Sequence, residues 1–209
     1  MSRIWDISQT LRQGLPVWPG DTPFDSSPHW VMDDNCPVNV GRFQLSAHSG
    51  THADAPLHYD GSGQAIDEVP LDAYIGPCVL LDVVSVSGRV EPEDIIDRLP
   101  ERVERVLLRT TAQFPHDAWV EDFTTVSADA IELMASRGAR LIGTDSPSLD
   151  PQQSKTLDAH RAVNRNRMAI LEGLVLEGVP AGTYELIAPP LKLDNLDASP
   201  VRALLRSIG

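Results

Sequence analysis

Three of the six histidines fall within one stretch, residues 47–60, AHSGTHADAPLHYD, and Asp54 lies among them. His48, His52 and Asp54 offer two imidazoles and a carboxylate, a donor set that suits zinc. The spacing decides whether they can meet. A separation of four would place His48 and His52 on one face of a helix, but Gly50, Thr51 and Pro56 oppose a helix here. The stretch reads better as a strand over 38–47, a turn at Ser49-Gly50 and a second extended run, THAD. Alternation along that run puts His52 and Asp54 on one face, and the turn can return His48 to their side. His58, beyond Pro56, lies near this set without being needed as a ligand. Histidines in a polar loop can also satisfy backbone groups and nothing more. Three of them with an aspartate inside eleven residues argue for a metal as the common cause.

Later residues can extend such a site. Glu172 is the single acidic side chain in the apolar run AILEGLVL. A carboxylate there is costly to bury unless it is paired or on a metal; an edge strand with a solvated carboxylate would also explain it. His160, in DAHRAVNRN, reads on pattern alone as an exposed helical histidine. Asp145, Ser146 and Asp150 follow a strand in TDSPSLDP, where loops commonly line sites, and read as turn residues or supports for ligands. Trp18 sits in a Pro- and Gly-rich stretch from Gly14 to Phe24, GLPVWPGDTPF. A tryptophan on such a rigid loop is either a packing residue or a stacking wall for a flat aromatic ligand.

These residues need a frame. A chain of 209 residues with 42% hydrophobic content can build one sizeable core, and one domain over 1–209 is the simplest reading. The formal net charge of −13 disfavours nucleic acid and anionic membrane surfaces as partners. No apolar run is long enough to span a bilayer, and MSRIWDISQTL lacks a secretory pattern. Cys36 and Cys78 form no CxxC pair and take no role here. A cytoplasmic protein is expected. Neither GxGxxG nor GxxxxGK[ST] is present, which argues against nucleotide chemistry, and no GxSxG elbow appears.

Strands are expected over 3–7, 38–47, 78–84, 104–110, 139–144, 168–176 and 183–187. Helices are expected from Glu91-Pro92-Glu93 to Arg98, from a Ser127 cap to Arg137, and from a Thr156 cap through His160 to Arg165. Ser199-Pro200 should open a last short helix over VRALL. Strands and helices are intermixed along the whole length, so the class is α/β or mixed α+β. Several strands follow one another without a helix, which excludes a purely parallel doubly wound sheet.

The string HSGTHADAPLHY resembles the signature of the cyclase family of metal-dependent hydrolases. WDISQTL, VWPGDTPF, GTDSPSLDP, DAHRA, ILEGLVL, YELIAPPLKL and SPVRALL resemble the formamidase members of that family, in the same order and over nearly the full length. The resemblance implies a swivelling β/β/α fold with a mixed sheet or barrel-like core, a homodimer, and two zinc ions per subunit. It implies that His48, His52 and Asp54 hold one zinc and that Asp54, His160 and Glu172 hold the other, with Asp54 and Glu172 bridging. His160 and the second metal come from the resemblance alone. It further implies His58 as the acid–base residue and Trp18 as a substrate contact.

The activity implied is hydrolysis of a small molecule, N-formyl-L-kynurenine, to L-kynurenine and formate. Zinc lowers the pKa of bound water to about 7 and so can provide hydroxide at neutral pH. Ring opening of an isatin-type cyclic amide would suit the same centre. A non-catalytic metal-dependent binding protein is the alternative from another class, and His58 argues against it. The donor types accept zinc, manganese and cobalt alike.

Overall fold

The protein, seen here as a computed structural model, is described over residues 2–208. The chain runs β1 (Ile4–Asp6), β2 (Asp25–Trp30), β3 (Val40–Gln44), β4 (His52–Asp54), β5 (Ile75–Asp82) and β6 (Arg89–Val90), then α1 (Pro92–Ile95), β7 (Arg105–Arg109) and β8 (Thr125–Val126). It continues through α2 (Ala128–Ser136), β9 (Leu141–Thr144), α3 (Asp158–Arg165), β10 (Ala169–Glu172), β11 (Gly182–Ile187), β12 (Ala198–Pro200) and β13 (Leu204–Ser207). Nine strands form one sheet in the order β1-β13-β11-β5-β7-β9-β10-β4-β12. The middle four, β5, β7, β9 and β10, are parallel, and the strands outside them pair antiparallel. This is the mixed α/β class expected from the sequence.

The parallel strands are almost wholly apolar because both of their faces are covered. On one face Val79, Leu81, Val106, Leu108, Ile142 and Ile170 pack with Ile131, Met134, Ala162 and Val163 of α2 and α3. On the other, Leu80, Leu107, Leu141 and Leu171 pack with Tyr74, Tyr184, Leu186 and Leu205. Gly143 is needed between these layers, since a Cβ there would lie 2.5 Å from Leu107 Cδ2. Arg105 is buried on the second face, yet its guanidinium donates to the carbonyls of Asp72, Ala73 and Pro77 and pairs with Glu104. A charge so fully hydrogen-bonded can be buried, and it ties the Leu71–Ala73 turn to the start of β5.

Local chemistry sets the helix starts. Ser127 caps α2 by accepting from Ala130 N, and Glu91 with Asp94 forms a capping box at α1. α1 ends at Ile95, short of the expected Arg98. Thr156 does not cap α3; the N-cap position is Leu157 at φ 50°, with no side-chain cap of its own. The orphan N–H groups of Ala159 and His160 are taken instead by the Asp150 carboxylate, at 3.0 and 3.1 Å.

The expected C-terminal helix is not formed. Ala198–Pro200 is β12, paired with β4, and Leu204–Ser207 is β13, lying between β1 and β11. Ala203 and Leu205 are buried while Arg206 is exposed, so the segment is buried with period two. Ladder partners on both sides outweigh its helix-compatible composition. β3 falls within the strand expected over 38–47, but its hairpin partner β2 went unread, with Pro28 inside it; the hairpin stands apart from the main sheet, and an irregularity between Pro28 and Trp30 accommodates the proline.

Candidate metal centre

β4 lies between β10 and β12, and the register of these three short strands assembles the site. Glu172 is opposite His52, and Ile170 is opposite Asp54. Residues directly opposed across a ladder share a face, so pairing rather than sequence proximity brings Glu172 beside the histidine motif. β10 has partners on both sides and Glu172 is 3% exposed, which rules out the solvated edge-strand reading. α3 packs over this face through Ala159, Ala162 and Val163 and delivers His160, itself 2% exposed. His48 enters from the turn before β4, where Gly50 takes φ 65°.

The donors converge. His48 Nδ1 lies 3.1 Å and His52 Nε2 3.4 Å from Asp54 Oδ1, while His160 Nε2 lies 3.5 Å from Asp54 Oδ2. Glu172 divides its oxygens in the same way, Oε2 at 3.5 Å from His52 Nε2 and Oε1 at 3.5 Å from His160 Nε2. Each carboxylate therefore offers one oxygen to each side of the cluster. Both Asp54 oxygens are buried, and among the described residues neither receives a hydrogen bond. A buried carboxylate left in that state is costly, and a metal cation on each side would satisfy it. The residues present thus fit divalent metal.

The far side of each ring is held. His52 Nδ1 is 3.0 Å from Gly50 O, His160 Nδ1 2.6 Å from Asp150 Oδ2, and His48 Nε2 3.0 Å from Asp197 Oδ2. Glu172 Oε1 accepts from Leu149 N at 2.9 Å. Such outer partners fix tautomer and orientation in metal-ligating histidines. The cluster also calls for positive charge. Burial works against the imidazolium forms, yet neighbouring carboxylates push His48 up to about 9 and His160 up to about 10. Burial likewise opposes ionisation of Asp54, but His160 and His48 hold its carboxyl well below the usual range.

His58 ends a short 3-10 turn, Pro56–His58, and is the more exposed member of the group. Its ring centroid is 4.3 Å from that of His48, its Nδ1 is 3.2 Å from Asp197 Oδ2, and a ring nitrogen lies within 4.8 Å of Asp54 and His160 donors. It faces a cavity of about 570 Å³ that His48, His52, His160 and Glu172 also line. Trp18 stands in the cavity wall, edge-on to Trp119 at 5.4 Å and 6.4 Å from Phe123. Among the described residues no lysine or arginine lines the cavity, whereas Asp21 and Asp122 do.

The second half of that wall, residues 110–124, was not singled out from the sequence; the aromatics of QFPHDAWVEDF were its one visible signal. Asp145 anchors the segment, accepting from Thr110 N, Thr110 Oγ1 and Thr111 N at 2.8, 2.6 and 3.1 Å. Ser146 Oγ donates to Thr124 O at 2.6 Å. Burial pushes the Asp145 carboxyl up to about 6 against those three hydrogen bonds. Asp197 is the other residue that sequence reasoning missed, for it lies in an unremarkable polar loop, LDNLDASP.

The Cyclase family model matches residues 5–151. The kynurenine formamidase of Sphingopyxis alaskensis is 57% identical over 209 residues, covering 100% of both chains. Among solved structures, a potential metal-dependent hydrolase with cyclase activity superposes with a TM-score of 0.86 at 28% identity, covering 100% of both chains. Isatin hydrolase A from Labrenzia aggregata, bound to benzyl benzoate, superposes with a TM-score of 0.84 at 27% identity, covering 100% of this chain and 94% of that one. On a family match over most of its length and an end-to-end relative above half identity, the chain belongs to the cyclase family.

Proposed function

We propose that this protein hydrolyses N-formyl-L-kynurenine to L-kynurenine and formate, acting as a single catalytic domain over 1–209. The observation that carries the reading is the pair of bare, buried Asp54 oxygens, each turned to imidazoles beside an aromatic-walled cavity. The end-to-end identity to a kynurenine formamidase supports the substrate.

His48, His52 and Asp54 would hold one zinc, and Asp54, His160 and Glu172 would hold the second. The divided orientation of the two carboxylates supports this bridging scheme. When bound, two such ions acidify water and stabilise negative charge on a carbonyl oxygen. The chain does the rest. Trp18, Trp119 and Phe123 form a wall for the flat aryl ketone, and burial of the ring excludes bulk water. The formyl carbon bears only hydrogen, so it can approach the donor cluster. His58 receives the proton of the attacking water and returns it to the arylamine nitrogen as the C–N bond breaks. The carboxylates of Asp21 and Asp122 complement the substrate's α-ammonium.

The reading includes a homodimer in the cytoplasm. Exposed Trp30, Val31, Met32 and Phe43 on and beside the β2–β3 hairpin support self-association. Free Cys36 and Cys78 fit a reducing compartment.

Parallel turnover of N-formyl-L-kynurenine and isatin tests the proposal. We expect kcat/KM for the formamide to exceed that for isatin by about 100-fold or more. Preference for isatin would move the protein to ring opening, and turnover of neither would make it a binding protein.

A further inference from the structure

We infer that Asp197 is a positioning residue, one carboxylate oxygen of which orients both His58 and His48. Asp197 Oδ2 lies 3.2 Å from His58 Nδ1 and 3.0 Å from His48 Nε2. The two rings are stacked at a tilt, with centroids 4.3 Å apart, so a single oxygen reaches both.

Asp197 is not a free loop carboxylate. Its carbonyl accepts from Ala55 N at 2.8 Å, and the next residue, Ala198, pairs with Asp54 in the β12–β4 ladder. Leu196 O accepts from Ile66 N at 2.8 Å on the other side. The backbone is therefore bolted to the strand that carries Asp54, and from there the carboxylate reaches both rings.

The consequence for His58 is its tautomer. An Nδ1–H donated to Asp197 leaves Nε2 with the lone pair, able to take and return a proton. The ring cannot rotate without losing that bond. For His48 the same oxygen holds Nε2 and so presents Nδ1 to Asp54 Oδ1, at 3.1 Å. One side chain thus fixes a proton carrier and a metal donor relative to each other. Nothing local announces this, because Asp197 is 139 residues from His58 in sequence.

The inference rests on the assignment of proton transfer to His58, and the test separates the two. Metal-loaded wild type, Asp197→Ala, Asp197→Asn, His58→Ala and the His58→Ala/Asp197→Ala double variant are compared for kcat, KM and metal per chain. The Nδ1–H tautomer of His58 is read by long-range ¹H–¹⁵N correlation. We expect Asp197→Ala to keep its metal at saturation, with affinity lowered about 10-fold. Its kcat should fall about 10- to 100-fold with KM within about twofold. Asp197→Asn should recover most of kcat, since its amide oxygen still accepts from Nδ1–H. In the His58→Ala background the Asp197→Ala change should cost nothing further in kcat. The tautomer signal should be Nδ1–H in wild type and lost in Asp197→Ala.

Full kcat in Asp197→Ala, or an equal fall with and without His58, would overturn the inference. So would a fall in kcat explained wholly by missing metal. Normal turnover in His58→Ala would remove the proton-transfer assignment itself, and the inference with it. An impaired His58→Ala beside a normal Asp197→Ala would sink the inference alone.

Discussion

His58 stacks on the His48 ring and shares the Asp197 carboxylate with it, and its substitution separates the two roles it can play. We expect His58→Ala to retain its metal by elemental analysis while kcat falls about 10²–10⁴-fold. The loss should be smaller on an aryl formamide with an electron-poor ring, whose nitrogen leaves with less protonation. Metal lost in proportion to activity would make His58 a ligand instead. Trp18 raises a parallel question, since its ring is edge-on to Trp119 yet lines the cavity. Trp18→Ala should raise KM at a cost of about 1 kcal/mol with little change in Tm; a collapse in Tm at constant KM would make the ring a packing residue. At this scale the sequence was legible where the chemistry is local. His52 and Asp54 share a face because they are two apart in a strand, and Glu172 stood out as a lone acid in an apolar run. Asp150 was legible as a polar residue in a loop after a strand, though not its partner His160; Asp197 acts on a histidine 139 residues away, and nothing in its own neighbourhood marks it.

Between elements, the site depends on two joints. The first is the β10 exit, where Gly173 at φ 63° leaves no room for a side chain: a Cβ would lie 2.6 Å from Gly50 O and 2.7 Å from Gln9 Nε2. Gly173→Ala should cost about 1–3 kcal/mol in denaturant unfolding and weaken metal binding, since it strains the residue after Glu172. Unchanged stability would show that the turn yields. The second joint is Asp145, which fastens the 110–124 wall to the end of β9. Its folded carboxyl titrates near 6, above the ordinary value of 3.8. The protonated form therefore contributes stability fully below about pH 3.8, and the contribution is lost as pH rises through about 6. Wild type should be favoured over Asp145→Asn more at pH 4 than at pH 7 in paired unfolding curves. An advantage that grows with pH would contradict this. Strong single elements such as α2 and the parallel strands were legible because cap and apolar run agree within one segment. The C-terminal strands and the β4–β10 register were not, because their partners are distant and their lengths are three or four residues.

For the molecule as a whole, the −13 charge and the exposed apolar hairpin pull in different directions. Phe43 at 68% and Val31 at 60% exposure are large apolar surfaces for a monomer to leave in water. Light scattering should give about twice the chain mass of 22.8 kDa, and Phe43→Glu should shift it toward the monomer. A wild-type monomer at micromolar concentration would remove the dimer. The central claim is that hydrolysis depends on two metals held by the divided carboxylates. The most direct measurement is a titration of chelated protein with zinc, following formate release from N-formyl-L-kynurenine at each step. We expect no release before addition and a rise that levels off at about two equivalents per chain. Full release by the chelated protein, or none at any zinc loading, would contradict it.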